Sequence, residues 1–165
     1  MDELYFCSGY FNPPSALCSI MADSKCKIDL LSADREANGF NNAGWPKSGV
    51  TPAYQMFADS MIKEIGNKEM KLAEWNRPNW TFHGKGMWFY QNGNCIGTAI
   101  GSSNFSYRSY QKDLEAGGII FIQNIKLQKK FDLERKNIWK YSTPRTIHPI
   151  PTWVRKVAPR IRAYF

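Results

Sequence analysis

A histidine and a lysine two positions apart, His83 and Lys85, are the residues of this sequence best suited to act on a phosphate group. An imidazole can attack phosphorus or transfer a proton, and an ammonium group can stabilise the negative charge that builds on phosphate oxygens. Because side chains alternate between the two faces of a β-strand, two residues at this spacing leave the same face. The pair therefore predicts a phosphate-directed site on one strand.

Small polar residues and a carboxylate follow this pair along the chain. Gly101, Ser102 and Asn104 lie within one predicted hairpin of His83, and Glu115 comes just before the next predicted strand. We expect Ser102 and Asn104 to donate hydrogen bonds to the non-bridging oxygens of a phosphate. We expect the Glu115 carboxylate to accept a hydrogen bond from the far ring nitrogen of His83, which would fix the tautomer of the ring. A solvated carboxylate at a strand end is the alternative interpretation of Glu115.

A β-hairpin is predicted to position these residues. Asn92-Gly93 is the strongest hairpin signal in the sequence, because a type I′ turn requires positive φ at both central residues. The first strand carries His83 and Lys85, and the return strand, Cys95–Ile100, leads directly to the small polar residues.

The N-terminal part of the chain predicts a strand, a helix and a second strand that pairs with the first in parallel. Leu4–Tyr10 and Lys27–Ser32 have strand composition, and between them Asn12 is a predicted N-cap with Pro13 at the first helical position. Asp34–Val50 is a long Gly- and Asn-rich stretch, which we interpret as a loop on the substrate side.

The remaining elements complete an α/β pattern. They are a helix from the N-cap Thr51 to Gly66, a strand at Lys71–Trp75, a buried central strand at Gly117–Gln123, and a helix from the N-cap Asn124 to about Tyr141. We therefore expect one α/β domain with a mixed, largely parallel sheet and helices on both of its faces.

The composition favours an anionic partner. The chain has 22 Lys and Arg against 14 Asp and Glu, a net charge of +8, which suits nucleic acid, a phospholipid surface or a phosphorylated substrate. The four cysteines show no metal-ligand spacing, so no metal site and no disulfide framework is predicted. No window has the roughly 20 apolar residues that a membrane span requires.

The order of the site residues resembles the phospholipase D superfamily, whose motif is His-x-Lys, four residues, Asp, and then Gly-Ser-x-Asn. Here the matching residues are His83-Gly84-Lys85 and Gly101-Ser102-Ser103-Asn104. Longer segments look like the eukaryotic phosphatidylglycerophosphate synthase branch of that superfamily: SGYFNPP (Ser8–Pro14), EANGF (Glu36–Phe40), WTFHGKGMWFY (Trp80–Tyr90), GSSNFSYRS (Gly101–Ser109), DLEA (Asp113–Ala116) and the closing WVRKVAPRIRAYF.

This resemblance implies a fold and an activity. Residues 1–165 are expected to form one phospholipase D-like catalytic lobe. The implied reaction transfers phosphatidyl from CDP-diacylglycerol to glycerol 3-phosphate and releases CMP, through a phosphohistidine and without cofactor or metal. His83, Lys85 and Glu115 are the expected catalytic residues, and Gly101 and Arg108 join Ser102 and Asn104 as substrate-binding residues. The implied location is the mitochondrial inner membrane, with peripheral contact to its anionic surface and no nucleic acid partner.

Two departures from the superfamily pattern bear on this interpretation. Tyr90 stands where the superfamily has Asp, which argues against a general nuclease. The chain also has a single His-x-Lys motif, and its other histidine, His148, has no lysine two residues later. We therefore expect this chain to be the second lobe of a two-lobe enzyme whose N-terminal lobe is absent, or half of a homodimer.

Other interpretations stay open from the sequence. One is a phosphodiesterase or nuclease that acts as a homodimer, and another is a non-catalytic lobe that binds lipid. The basic aromatic tail, residues 151–165, carries an apolar stripe with cations between its members. Contact with an anionic bilayer and packing against the domain explain this stripe equally well.

Overall fold

A mixed sheet of seven strands runs through the computed structural model, which describes residues 1–41, 43–66 and 69–165. Its strands are β1 (Glu3–Ser8), β3 (Lys27–Ala33), β4 (Met70–Trp75), β5 (Lys85–Gln91), β6 (Asn94–Gly101), β8 (Gly117–Phe121) and β9 (Ser142–Pro144). Two short strands, β2 (Phe11–Asn12) and β7 (Phe105–Ser106), pair with each other in parallel. The α-helices are α1 (Ser15–Ala22), α2 (Val50–Ile65), α3 (Tyr107–Gln111), α4 (Ile125–Trp139) and α5 (Thr152–Val157), and 3₁₀ helices span Lys47–Gly49 and Ala158–Tyr164.

The strand order of the large sheet is β8-β6-β5-β1-β3-β4-β9. The pairs β1–β3 and β3–β4 are parallel, as the strand-helix-strand pattern predicts, and the other four pairs are antiparallel. The prediction of a mixed α/β fold is confirmed, but the sheet is mostly antiparallel where a largely parallel one was expected. The hairpin between β5 and β6 accounts for one antiparallel pair, because a two-residue turn can join only antiparallel neighbours. The chain from β6 to β8 passes through β7 and α3 before it returns antiparallel to β6.

The predicted hairpin is present and ends in the predicted turn. Asn92 and Gly93 have φ values of 50° and 75°, the positive pair that a type I′ turn requires. β5 pairs with β1 on its other side, so that Lys85 lies opposite Ser8 at one end of the sheet. The hairpin therefore brings the residues after β6 back to the end of β1.

Helices cover both faces of the sheet. On one face, α1 and α2 pack against the β1 and β3 side chains Phe6, Ile28 and Leu30. On the other face, α4 packs against a cluster that includes Leu31, Trp88 and Tyr90. The alternation of Leu30 and Leu31 between the two clusters follows from the two-residue period of a strand.

The prediction for Gly117–Gln123 is wrong in its position. This run forms β8 at the edge of the sheet, where β6 is its one neighbour among the described strands, and Ile119 and Phe121 are 61% and 84% exposed. Met87 on β5 pairs with Ala99 on β6, and Ala99 pairs with Ile119 on β8, so the three side chains lie on the same face of the sheet. We call Met87, Ala99, Ile119 and Phe121 the apolar sheet face.

Two of the predicted helix starts differ from the structure. Asn12 belongs to β2 and is fully buried, and α1 begins three residues later with Pro14 at its N-cap. Helix α2 begins at Val50, so Thr51 lies inside its first turn; its end is as predicted, with Gly66 at φ 59°. The Asn124 cap of α4 is confirmed, because its side chain accepts hydrogen bonds from the backbone N–H groups of Lys126 and Leu127.

The basic tail packs against α2. Val154 and Ala158 are 1% and 3% exposed and form a third core cluster with Ala53 and Phe57. Packing against the domain thus explains these inward residues of the tail.

The predicted loop between β3 and α2 includes the 3₁₀ helix Lys47–Gly49, and its residue Asn42 lies outside the described residues. All four cysteines are buried and free. In residues 1–41, 43–66 and 69–165, no helix is both long and apolar enough to cross a membrane.

Candidate active site

His83 and Lys85 meet at the end of the sheet. Lys85 is the first residue of β5, and His83 lies just before the strand, yet Lys85 Nζ is 3.1 Å from His83 Nε2. An ammonium group can only donate, so His83 Nε2 accepts and Nδ1 carries the ring proton in this arrangement. The two predicted residues are therefore brought together with a defined tautomer of the histidine.

The segment before His83 is held by its neighbours on both sides. Phe82 is buried and stacks on Trp75 with the ring centroids 5.1 Å apart. Its backbone N–H donates to the carbonyl of Ala37 in the loop after β3, at 2.9 Å. These contacts fix the main chain from which the His83 side chain extends.

The charge states of the pair follow from their surroundings. Partial burial of the ring, and next the Lys85 ammonium, hold the pKa of His83 below 6.5. Partial burial also lowers the pKa of Lys85, and the nearby Glu115 carboxylate opposes that shift. The ring of His83 is therefore neutral at pH 7, beside a cation.

Asn104 provides the least satisfied polar group near the pair. In the described part of the chain its Oδ1 is buried and has no hydrogen-bond partner. A buried polar atom without a partner costs about 1–3 kcal/mol. Gly9 lies against the same place, since a Cβ built on it would be 3.8 Å from Asn104 Oδ1 and 4.0 Å from His83 Cα. A bound ligand would remove this cost only by donating a hydrogen bond to Asn104 Oδ1, because an amide oxygen can only accept.

Two hollows meet at Asn104. A groove of about 440 Å³ extends from Lys85 and Glu115 along the apolar sheet face to Ile119. A cleft of about 690 Å³ on the other side contains His83, and Asn104 lines both. The candidate site is thus open on two sides.

Glu115 and Ser102 form a contact of their own. Ser102 Oγ donates to the Glu115 carboxylate, and it accepts from the Ala116 backbone N–H at 3.0 Å. Among the described residues, Glu115 does not form the hydrogen bond with His83 that the sequence predicts. The carboxylate acts on the site instead through its charge, which faces Lys85.

Gly101 has a reason to be glycine that does not involve a ligand. It pairs with Gly117 across β6 and β8, and a Cβ on it would lie 2.8 Å from the Ala116 carbonyl oxygen. Real Cβ atoms essentially never approach another heavy atom this closely. The substrate-binding role expected for Gly101 stays a prediction.

Arg108 lines the cleft with His83, but its guanidinium has a partner. Arg108 Nε lies 3.1 Å and 3.0 Å from the two carboxylate oxygens of Asp113. The side chain is still 58% exposed, so its charge faces the cleft.

Sequence reasoning missed several residues that shape this site. Ser8 is fully buried and accepts from the Phe105 backbone N–H at 3.0 Å, which joins the end of β1 to the residue after Asn104. Tyr10 and Tyr54 stack in the wall of the cleft with centroids 4.5 Å apart. The SGYF segment gave a signal for Ser8 and Tyr10, but only as part of a family resemblance.

Tyr90 does not contribute to this site. Its hydroxyl donates to Asp132 Oδ1 at 2.8 Å and accepts from Arg135 Nε at 3.2 Å, both on α4. The position that holds Asp in the superfamily motif therefore anchors a helix here. In the described ranges no group of three His, Cys, Asp or Glu side chains is arranged to hold a metal ion.

Comparison with known proteins identifies the family of this chain. The family model described as "Cardiolipin synthase, PLD-like domain" matches residues 1–139. The mitochondrial CDP-diacylglycerol–glycerol-3-phosphate 3-phosphatidyltransferase of Homo sapiens is 32% identical over 177 aligned positions, which cover 99% of this chain and 32% of that protein. The enzyme of the same name from Gallus gallus is 30% identical, with the same coverage. This chain thus spans about a third of the length of these relatives.

Solved structures share the fold. A phosphatidylserine synthase of Haemophilus influenzae Rd KW20 superposes with a TM-score of 0.75 at 19% identity, covering 99% of this chain and 40% of that one. Nuc of Salmonella typhimurium, a phospholipase D family member, gives a TM-score of 0.58 at 16% identity, covering 88% of this chain and 83% of that one. The predicted resemblance to the phospholipase D superfamily is confirmed. This chain belongs to the PLD-like domain family of the cardiolipin synthase type.

Proposed function

We propose that this chain forms one lobe of a phosphatidyltransferase, which moves phosphatidyl from CDP-diacylglycerol to glycerol 3-phosphate and releases CMP. The observation that carries the proposal is the contact of His83 Nε2 with Lys85 Nζ, 3.1 Å apart beside a cleft that His83 and Asn104 line. The names of the human and chicken relatives support this choice of substrates.

The chemistry divides into two displacements. A histidine nitrogen attacks the phosphorus that carries the diacylglycerol, forming a P–N bond while the P–O bond to CMP breaks. A second histidine protonates the departing CMP oxygen and then removes the proton from the glycerol 3-phosphate hydroxyl. That hydroxyl oxygen forms the new P–O bond as the P–N bond breaks, which yields phosphatidylglycerophosphate and restores both rings.

His83 supplies one of these two imidazoles. Its lowered pKa keeps the ring neutral at pH 7, the form that attacks phosphorus or removes a proton. Lys85 stabilises the charge that builds on the phosphate oxygens, and the Asn104 amide orients the group that is transferred. Glu115 acts through Lys85, because its carboxylate favours the charged form of Lys85, and Ser102 donates a hydrogen bond to that carboxylate.

The second imidazole comes from another lobe. His148, the other histidine of the sequence, lies between β9 and α5. It is not among the residues that line the His83 cleft. We propose a partner lobe with its own His-x-Lys motif, either an N-terminal lobe or a second copy of this chain.

The apolar sheet face is the surface for that lobe. It adjoins Lys85 and Asn104 in the groove and leaves Ile119 61% and Phe121 84% exposed. An exposed apolar edge strand is a site for association with another chain. A lobe docked there would enclose the reacting phosphate between two histidines.

We propose a peripheral location at the mitochondrial inner membrane. The printed names of the human and chicken relatives include the word mitochondrial, which supports the organelle. Carbonate extraction of purified mitochondria tests the attachment, because a peripheral protein is released by carbonate. Retention in the membrane pellet would contradict it.

The assay is the formation of phosphatidylglycerophosphate from CDP-diacylglycerol and labelled glycerol 3-phosphate, with this chain alone and with a lobe that carries the second motif. We expect activity with the partner lobe, none in His83→Ala, nearly none in Lys85→Ala, and a milder loss in Glu115→Gln, which keeps an acceptor oxygen. His148→Ala is the matched control and should keep full turnover. Native turnover in a folded His83→Ala complex would refute the catalytic assignment.

Two other functions give different results in the same preparation. A homodimer that alone cleaves bis(p-nitrophenyl) phosphate or DNA would identify a phosphodiesterase. Binding of lipid without turnover, even with the partner lobe present, would identify a lipid-binding lobe.

A further inference from the structure

The basic tail presents a second apolar stripe to the outside. Val154 and Ala158 point into the core, but Trp153, Val157 and Ile161 recur every four residues and remain 41%, 43% and 40% exposed. Core packing therefore explains one side of the tail, whereas the other side stays partly in solvent, with the Trp153 ring lying against Gly49.

These outward residues line an apolar groove against the start of α2. The groove measures about 270 Å³, and Lys47 is the one charged residue in its wall. Its other lining residues are Pro46, Gly49, Val50, Ala53, Trp153, Val154, Val157, Ala158, Ile161 and Phe165. Trp45, next to Pro46, is 83% exposed, so a further aromatic ring stands in solvent at the same place. The apolar lining of this groove suits a hydrocarbon chain and offers little to a polar ligand.

The rim of this groove is positively charged. Arg155, Lys156 and Arg160 are exposed beside the apolar stripe, and Lys47 joins them from the other wall. The sequence from residue 135 to residue 165 contains no Asp or Glu. Cations that surround exposed apolar and tryptophan side chains are typical of surfaces that rest on anionic lipid.

The groove continues into the cleft of the candidate active site. Val50, Ile161 and Phe165 line both hollows, and the cleft contains His83 and Asn104. A molecule with a hydrocarbon chain in the groove would thus hold its phosphate in the cleft. A phospholipid has this combination of groups.

The tail is fixed in this position by buried polar contacts. The Asn12 side chain donates to the main-chain oxygens of Arg162 and Phe165, and the Arg108 backbone N–H donates to the same Phe165 oxygen. The groove is therefore a formed part of the fold.

We propose that this surface, defined by Trp45, Lys47, Trp153, Arg155, Lys156, Val157, Arg160 and Ile161, docks on an anionic phospholipid bilayer, and that its groove receives an acyl chain of the lipid whose phosphate reaches His83. The identity of that lipid rests on the proposed function. The docking itself does not, because it is measured without turnover.

The first test is flotation of the chain with phosphatidylcholine vesicles that contain or lack phosphatidylglycerol. We expect binding to the anionic vesicles, and Lys156→Gln/Arg160→Gln should weaken it on the order of 30-fold, since each surface cation contributes roughly a factor of five. Lys126→Gln/Lys129→Gln on α4 removes the same charge elsewhere and should bind almost as well as the native chain. An equal loss of vesicle binding in the two double variants would overturn the proposal, because binding would then depend on net charge alone.

The second test follows the apolar stripe. Lipids brominated along their acyl chains should quench tryptophan emission in the native chain, and quenching should fall in Trp153→Phe and in Val157→Ser/Ile161→Ser. Leu127→Ser/Leu133→Ser, with side chains of similar exposure on α4, should leave quenching unchanged. Quenching that is equal in all four proteins, or no binding to either vesicle, would refute docking.

His83→Ala separates this proposal from the proposed function. The variant should bind and be quenched like the native chain even though it does not transfer phosphatidyl. If His83→Ala also loses vesicle binding while remaining folded, the groove and the tail do not form the docking surface.

Discussion

Replacing Asn12 by alanine should release the basic tail from the domain. Asn12 is fully buried; its Nδ2 lies 3.2 Å from the oxygens of Arg162 and of Phe165, and its Oδ1 accepts from Arg162 Nε at 2.8 Å. A neutral hydrogen bond contributes about 1 kcal/mol net and one to a charged group about 1.5–3 kcal/mol. Because water can reach the half-buried Arg162 after the change, we expect the free energy of unfolding to fall by about 3 kcal/mol.

Urea unfolding followed by circular dichroism measures this loss. Asn94→Ala is the control, since Asn94 is exposed and donates one hydrogen bond to its near neighbour Asn92; its loss should stay below about 0.5 kcal/mol. Hydrogen exchange of residues 152–165 should accelerate in Asn12→Ala well before global unfolding. A loss below about 1 kcal/mol with unchanged exchange would refute the argument that this amide anchors the tail.

Three further predictions concern the site and the sheet. The NMR titration of His83 should give a pKa below 6.5, and Lys85→Met should raise it, although burial, the larger cause, keeps the pKa low. With this lowered pKa, the unfolded chain binds the His83 proton more tightly than the folded chain does. The free energy of unfolding should therefore fall as pH drops below 6.5 towards the folded-state pKa of His83. The His83→Gln variant should not show this fall, which would identify His83 as the titrating group. Phe121→Asp should unfold at nearly the native urea concentration yet prevent association with a partner lobe, whereas Ile122→Asp, at a position 4% exposed, should not fold. Ser8→Ala should cost about 1–3 kcal/mol in urea unfolding because the backbone N–H that it accepts from loses its partner.

Local signals in the sequence predicted the elements that depend on local chemistry. The Asn92-Gly93 turn, the Gly66 end of α2 and the Asn124 cap of α4 each require one residue type at one backbone position, and the structure has all three. His83 and Lys85 were expected on one face of a strand; in the structure they are in contact, but His83 lies just outside the strand.

Features that depend on distant parts of the chain were not predicted. The apolar run of β8 has the composition of a strand buried on both faces, and hydrophobicity alone does not distinguish burial by the same chain from burial by another. Asn12 and Pro13 have the pattern of a helix start, but the tertiary contact with Arg162 recruits the amide instead. Similarly, the Ser102 hydroxyl was expected to face a phosphate and is held by Glu115.

The close approach of β6 and β8 at Gly101 changes how a variant at this position should be interpreted. A methyl group there would meet the Ala116 carbonyl oxygen at 2.8 Å, so Gly101→Ala must spread the two strands. That movement would displace Ser102 and Glu115 together, since both depend on the spacing at this crossing. An inactive Gly101→Ala enzyme would therefore report the separation of two strands, even though the glycine belongs to a sequence motif associated with phosphate binding.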